Sequence, residues 1–150
     1  MIKQIVTNKK AIHDYFIMET VEAGLVLQGT EVKSLREGRA NLKDSYARID
    51  SGEAFLIECH ISPYPCASHF NHHPTRPRKL LLKKQEIKRL LGKMTEKGMT
   101  LIPTRLYFKD GKVKVEIGLA KGKRQYDKRE TLRKKQEQRE IERAFKERRR

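Results

Sequence analysis

Residues 99–121 read MTLIPTRLYFKDGKVKVEIGLAK and have the pattern of a β-hairpin. The dipeptide Asp110-Gly111 suits a two-residue turn, which would join antiparallel strands at 99–109 and 112–121. Every second residue of the later strand is apolar, namely Val113, Val115, Ile117 and Leu119. This alternation predicts a strand with one face buried in a core and the other exposed.

The segments before the hairpin also favour strands. Apolar and β-branched residues run through 14–28, 44–50 and 53–61, and Ser51-Gly52 can form a turn between the last two. Gly24 can bend the first segment or divide it into two strands. In 53–61 we expect alternate residues to face the core, namely Phe55, Ile57, Cys59 and Ile61.

Two segments favour helices instead. Residues 83–97 have apolar side chains at helical spacing, and Gly98 is a natural stop. Thr30 can cap a shorter helix that continues to Arg36 before Gly38. Between them, residues 62–77 contain four prolines and predict an irregular loop.

Several short strands, few helices and no repeated βαβ rhythm indicate an antiparallel barrel. We therefore expect a mainly β protein, an OB-type antiparallel six-stranded barrel with two or three flanking helices. Barrels of this type often hold nucleic acid.

The net charge indicates a polyanionic partner. The 150 residues carry a formal charge of +16, and the isoelectric point is about 10.0. A surplus of this size favours nucleic acid or an anionic membrane. The apolar runs are too short to span a bilayer, and the first residues do not resemble a signal peptide. Two cysteines make no disulfide framework, so we expect a cytoplasmic protein without membrane attachment.

The charge is concentrated in the last fifth of the chain. Residues 121–150 hold 14 Lys and Arg against 6 Asp and Glu, which supplies half of the surplus. Few large apolar residues occur there, so this part cannot bury a core of its own. It is rich in helix formers. We predict a body at 1–121 and a basic tail at 122–150, disordered or helical, that orders on RNA.

A metal-dependent enzyme is a weaker alternative. Two cysteines and three histidines lie close together in the sequence: Cys59, Cys66, His69, His72 and His73. Their spacing is poor for zinc, which usually takes ligands paired two to four residues apart. The chain shows none of the common nucleophile, phosphate-loop or metalloprotease motifs. We expect no catalytic residue, no metal and no cofactor.

Basic residues cluster in the predicted loops and in the tail. Phosphate contacts by such side chains supply affinity that depends strongly on salt but not on sequence. The candidates for RNA contact on this ground are Lys33, Arg36, Arg76, Arg78, Lys79, Lys121 and Lys123.

Several separate motifs resemble one family. The chain has Glu22-Ala23-Gly24-Leu25, Asp44-Ser45-Tyr46 and Asp127-Lys128-Arg129, together with the segments 29–36, 74–82 and 118–123. In this order they resemble the SsrA-binding protein family, small protein B. The resemblance implies an OB-type barrel that binds the tRNA-like domain of tmRNA on stalled ribosomes during trans-translation. It also implies a tail that folds into a helix in the empty mRNA channel, and no catalysis by the factor itself.

The resemblance also assigns roles to residues. It places Asn8 and Glu22 on the RNA surface of the barrel, with Glu31, Lys33 and Arg36 as further contacts. In the tail it implies contacts near the decoding centre and in the mRNA channel for Tyr126, Asp127, Lys128, Arg129, Arg133, Lys134 and Lys135. The expected partners are tmRNA and the small-subunit rRNA of the stalled ribosome, and we expect the factor to be a monomer. The segment with His72 and His73 departs from the family pattern.

Two other functions remain open from the residues alone. A ribosomal protein or a general single-strand-binding OB module also combines a small barrel with a basic tail. A metal-dependent nuclease would use the Cys and His cluster.

Overall fold

The computed structural model of the chain describes residues 1–67 and 70–148, without the side chains of 124–132, 147 and 148. Its helices are α1 (Lys9–Asp14), α2 (Gly29–Arg36), α3 (Lys84–Lys97) and α4 (Lys123–Arg148). Its strands are β1 (Ile2–Thr7), β2 (Tyr15–Leu25), β3 (Ala40–Asn41), β4 (Tyr46–Asp50), β5 (Glu53–Ile57), β6 (His60–Ile61), β7 (Arg78–Leu81), β8 (Thr100–Lys109) and β9 (Lys112–Gly122).

Six antiparallel strands close into a ring. The order is β8-β4-β5-β7-β2-β9, and β9 pairs back with β8. β9 runs along one edge of β8. The other edge of β8 is shared by two strands: β1 pairs near Lys109, and β4 pairs at Leu101. β3 and β6 form a separate small sheet. The prediction of a mainly β, six-stranded antiparallel barrel with flanking helices is confirmed.

The hairpin at the centre of the prediction is present. β8 and β9 pair from Lys109 and Lys112 at the turn to Thr100 and Ala120, and both turn residues, Asp110 and Gly111, have positive φ angles of 51° and 78°. Such angles are those of a type I′ turn, whose twist matches that of the strands. The four alternating residues of β9 are all buried, so the predicted core face is correct.

The core fills the ring and extends under the helices. Leu56, Leu106 and Val115 have no exposed surface at all. From outside the ring, α2 contributes Leu35 and α3 contributes Leu90 to the same cluster. A smaller cluster lies between α1 and the sheet, made of Ala11, Ile102 and Ala120 with Tyr15 and Ile17 against it.

Local backbone geometry overturns some predicted boundaries. Glu58 takes a φ of 59°, which divides the predicted strand 53–61 into β5 and β6. Of the four residues predicted to face the core, Ile57, Cys59 and Ile61 are buried, whereas Phe55 is only half-buried and its neighbours Ala54 and Leu56 are buried instead. At the other end of the barrel, β2 continues through Gly24 as one strand.

The number of helices agrees with the prediction, but one helix and one cap were not located from the sequence. Three helices, α1 to α3, accompany the barrel, and α4 forms the helical tail; α1 was not located from the sequence. The N-cap of α2 is Gln28, whose backbone N–H donates to the Glu31 carboxylate at 2.8 Å, whereas Thr30 lies inside the helix. Gly98 ends α3 in the left-handed conformation, as predicted. Among the described residues, no helix is long and apolar enough to cross a membrane.

Candidate RNA-binding surface

A polar cluster surrounds Glu22 on the outer face of β2. The Tyr107 hydroxyl donates to Glu22 Oε2 at 2.5 Å, and Lys109 Nζ lies 3.3 Å from Oε1. The Arg105 guanidinium lies over the Tyr107 ring, 4.6 Å from its centroid. Just over a third of the Glu22 side chain is exposed, so it can meet a ligand while its neighbours hold its orientation.

Glu22 is kept ionised by this cluster. The Tyr107 hydrogen bond, with help from Lys109, lowers the pKa of Glu22 below its ordinary value. Burial, with the same hydrogen bond, raises the pKa of Tyr107, which therefore stays a donor. The family resemblance pointed to Glu22, but its neighbours Arg105, Tyr107 and Lys109 were not identified from the sequence. The sequence does contain a pattern that indicates a shared polar face, because these three residues alternate along β8 with apolar residues.

Asn8 lies at the junction of three elements and is almost completely buried. Its Oδ1 accepts from the Ala11 backbone N–H at 3.1 Å, which caps α1. Its Nδ2 donates to the carbonyls of Leu42 at 3.2 Å and Pro103 at 2.9 Å. The structure thus shows Asn8 joining α1, the turn after β3 and β8, with little surface of its own.

Asn8 and Glu22 both border β8. One contacts Pro103 and the other Tyr107, four residues apart on a strand. At about 3.4 Å per residue, the two contacts are on the order of 13 Å apart. Both residues assigned by resemblance therefore bond to β8, Asn8 through the Pro103 carbonyl and Glu22 through the Tyr107 hydroxyl.

Glu31 sits at the centre of a buried ion network. Arg76 and Arg78 both donate to its carboxylate, and the Glu31 and Arg78 side chains have no exposed surface. Arg78 also donates to the carbonyls of Cys59 at 2.6 Å and Pro74 at 3.0 Å. The network ties α2 to the proline-rich loop and to β7.

The charges of this network compensate each other. Burial alone would raise the pKa of Glu31, but hydrogen bonds from Arg76, the Gln28 backbone and Arg78 outweigh it, and the pKa is lowered. Glu31 and Arg78 have no surface to offer to RNA in this structure. We therefore assign both a structural role in place of the predicted RNA contact.

The other predicted contacts on the body carry exposed charge. Lys33 and Arg36 are exposed on α2, and Lys33 Nζ lies 5.6 Å from the centroid of the Tyr64 ring. Lys79 is also exposed and pairs with Glu53 at 3.4 Å. Arg76 exposes a quarter of its side chain beside the buried Glu31. Lys33, Arg36 and Lys79 remain available for phosphate contacts, whereas the Arg76 guanidinium is engaged with Glu31.

The body continues directly into the tail through β9 and α4. Lys121 and Lys123 are half-buried at this junction, and Lys123 Nζ lies 5.1 Å from the centroid of the Phe16 ring. Further along α4, Arg133, Lys134 and Lys135 are exposed. The side chains of the remaining predicted contacts, Tyr126, Asp127, Lys128 and Arg129, lie outside the described residues.

The Cys and His cluster is dispersed in the structure. Cys59 is buried and its pKa is raised to about 11 by that burial, whereas Cys66 is exposed. His72 is buried and bridges Thr30 and the Ile61 carbonyl, both at 2.8 Å. His69 lies outside the described residues. Within the described ranges, no three His, Cys, Asp or Glu side chains are placed to share a metal ion.

Comparison with known proteins assigns the chain to a family. The family model described as SmpB protein matches residues 5–147. The chain belongs to the SmpB protein family. Its curated relatives are named SsrA-binding protein, so the family is one of RNA-binding factors.

Individual relatives of the family are similar over nearly their whole length. The SsrA-binding protein of Geobacillus thermodenitrificans is 61% identical over 97% of this chain and 94% of its own. That of Syntrophobacter fumaroxidans is 64% identical over 97% of this chain and 90% of its own. A solved structure described as "tmRNA-SmpB: a journey to the center of the bacterial ribosome" matches with a TM-score of 0.67 and 51% identity, over 79% of this chain and 83% of that one.

Proposed function

We propose that this chain binds the tRNA-like domain of tmRNA, the SsrA RNA, and delivers it to stalled bacterial ribosomes for trans-translation. In this function it rescues ribosomes from messages without a stop codon and enables tagging of the nascent peptide for proteolysis. The observation that carries the proposal is membership of the SmpB family across 5–147, with relatives named for binding SsrA.

The surface of the body fits a structured RNA. The ionised Glu22, held by Tyr107 and Lys109, can accept hydrogen bonds from ribose hydroxyls or base edges. A surface made only of lysines and arginines can bind phosphates but cannot accept such hydrogen bonds. Lys33 and Arg36 on α2 and Lys79 on β7 are exposed and add phosphate contacts. We propose that the factor acts in the cytoplasm and catalyses no reaction itself.

The tail fits a separate role on the ribosome. The α4 side chains described from Arg133 to Lys146 are all exposed, so this part of the helix does not pack on the body. A helix without tertiary packing gains stability from a partner that neutralises its charge. We therefore propose that 1–121 holds tmRNA, and that 122–150 occupies the empty mRNA channel near the decoding centre.

A truncation tests this division of labour. In a chain that ends at Lys123, β9 and the junction lysines remain, so we expect affinity for the tRNA-like domain to fall by less than about five-fold. Peptide tagging on ribosomes stalled at the end of a message should be abolished. The measurements are RNA binding by filter retention and tagging in a reconstituted translation system.

A control variant of equal length tests whether tagging needs the sequence of the tail or only its length. It keeps 1–123 and replaces the rest with a flexible Gly/Ser segment of equal length, which should also bind RNA and fail to tag. Loss of RNA binding in both variants would contradict the proposed roles of body and tail.

A further inference from the structure

Two glutamates stand directly opposite each other on the outer face of the barrel. In the antiparallel register of β2 and β9, Glu22 is the partner of Glu116, and their side chains are 37% and 26% exposed. Side chains at such positions have Cβ atoms about 4.5–5.5 Å apart, and like charges there destabilise a sheet. Other groups must therefore draw the two carboxylates apart.

The donors that separate the two carboxylates come from β8. The Tyr107 hydroxyl donates to Glu22 Oε2 at 2.5 Å. The Thr104 hydroxyl donates to Glu116 Oε2 at 2.6 Å, and Arg105 Nε lies 3.4 Å from the same oxygen. Each glutamate thus has its own hydroxyl donor on the same strand.

Tyr107 reaches Glu22 across the strand that lies between them. β9 pairs with β2 on one side and with β8 on the other, so two strand spacings, about 9.6 Å, separate the backbones of the two residues. Only 2% of Tyr107 is exposed, and the Arg105 guanidinium lies over its ring, 4.6 Å from the centroid. The hydroxyl is therefore held in one place by a ring that is itself packed.

We propose that Tyr107 is a positioning residue for RNA recognition, which holds the Glu22 carboxylate away from Glu116 and in its binding orientation before the RNA arrives. The proposal rests on the RNA-binding function proposed above and adds to it the group that orients one of its contacts. A side chain that is ordered before binding strengthens binding, because its entropy is not lost on association. Lys109 takes a smaller share, since its ion pair with Glu22 spans 3.3 Å and is partly exposed.

Removing one hydroxyl tests this role in the full chain. Tyr107→Phe keeps the buried ring but leaves Glu22 without its hydroxyl donor. Affinity for the transcribed tRNA-like domain of tmRNA should fall about five-fold, the effect of ordering one more side chain on binding. The slope of affinity against salt should not change, because no phosphate contact is lost.

A second background shows whether Tyr107 acts through Glu22. Glu22→Ala removes the contact itself and should lose more affinity than Tyr107→Phe does. Adding Tyr107→Phe to Glu22→Ala should change the affinity by less than about two-fold, because no carboxylate is left to orient. A separate RNA contact by Tyr107, or a general loss of structure, would lower the affinity by the same factor in both backgrounds.

The matched control removes the other hydroxyl of the same strand. Thr104→Val is nearly isosteric and deletes the hydroxyl donor of Glu116, while Arg105 remains beside that carboxylate. Its RNA affinity should stay within about two-fold of the wild type. An equal loss of affinity in Thr104→Val and Tyr107→Phe would overturn the proposal, because a disturbance of β8 would then explain both.

The pH profile of RNA binding gives a readout that a loss of stability alone does not move. The hydrogen bond from Tyr107 is the largest cause that lowers the pKa of Glu22, and Lys109 and Lys114 add to it, whereas burial acts against them. The wild-type affinity should therefore be nearly constant between about pH 7.5 and pH 5. In Tyr107→Phe the pKa of Glu22 rises, so more of it is protonated at the acidic end and the loss of affinity should be larger there. Arg105 and Glu116, the other charged groups beside this cluster, are the same in both proteins.

The outcomes separate this proposal from the function on which it rests. If the wild type fails to bind the tRNA-like domain, the proposed function itself is wrong. If it binds, but Tyr107→Phe binds within about two-fold of it or loses affinity equally in the Glu22→Ala background, the role of Tyr107 is overturned and the function stands. One measurement needs no variant: the Tyr107 hydroxyl proton should exchange slowly enough with water to be observed by NMR in the free protein. Rapid exchange of this proton would also overturn the proposal, because the hydrogen bond would not be kept before the RNA binds.

Discussion

Replacing Glu31 with glutamine tests the reassignment of this residue from RNA contact to internal support. The substitution keeps the size and shape of the side chain but removes its charge. It leaves the Arg78 guanidinium, which has no exposed surface, without its carboxylate partner. Arg76 loses the same partner at the edge of the network.

The expected loss of stability is large. Removing one member of a buried ion pair typically costs about 3–5 kcal/mol, because the remaining charge is buried without compensation. For a chain of 150 residues this corresponds to a fall in Tm of about 10 °C or more. The loss should lie at the upper end, because a glutamine amide has only one acceptor oxygen, so its NH2 group would face one of the donors that the two carboxylate oxygens now serve.

The assay is urea unfolding followed by far-ultraviolet circular dichroism, with Glu53→Gln as the matched control. Glu53 pairs with Lys79 across 3.4 Å, and about half of each side chain is exposed. The control should therefore lose less than about 1 kcal/mol. RNA affinity, measured where both variants are fully folded, should stay within about three-fold of the wild type.

The reasoning would be refuted by the opposite pattern. An unfolding free energy within 1 kcal/mol of the wild type, together with at least a ten-fold loss of RNA affinity, would make Glu31 a direct contact. Equal losses of stability in Glu31→Gln and Glu53→Gln would show that burial of the network has no energetic consequence.

Two further outcomes follow from the same structure. The pKa of Glu31 is lowered from its ordinary value of 4.5, so its stabilisation is complete above that pH and is lost as the pH falls through the folded-state pKa. The plot of unfolding free energy against pH below 4.5 should thus be shallower for Glu31→Gln than for the wild type. Gly118→Ala should cost about 1–3 kcal/mol in urea unfolding, because its Cβ would lie 2.9 Å from Ile17 Cγ2. Its control, Gly92→Ala in α3, has nothing within 4 Å and should gain up to about 1 kcal/mol; equal effects would contradict the packing seen around Gly118.

Features set by neighbours in the sequence could be predicted. The β8–β9 hairpin depends on Asp110-Gly111 and on strict alternation, and both act over a few residues. The end of α3 at Gly98 depends on one residue that tolerates positive φ. In both cases the local preference and the final packing agree.

Features set by contacts between distant residues could not be predicted in the same way. Glu22 and Tyr107 are 85 residues apart, and Glu31 and Arg78 are 47 apart. No local sequence pattern predicts such pairs. The burial of Arg78 could have been predicted in part. It lies two residues from the buried Leu80 on β7, so both side chains are on the same face of the strand.

Short elements and unusual backbone angles were the other source of error. β1 and α1 have six residues each, too few for a clear period. The break at Glu58 depends on a positive φ in a residue that seldom adopts it. Tertiary contacts, such as those of Cys59 and Ile61 with the core, must hold that angle in place.

The most direct test of RNA recognition compares two ligands under one condition. Full-length protein is titrated at physiological salt with the tRNA-like domain of tmRNA and with an unrelated single strand of equal length. Because shape and specific contacts add to the phosphate attraction, we predict binding to the tRNA-like domain that is at least about 100-fold tighter. Equal affinities would contradict the account and would assign the chain to general single-strand binding.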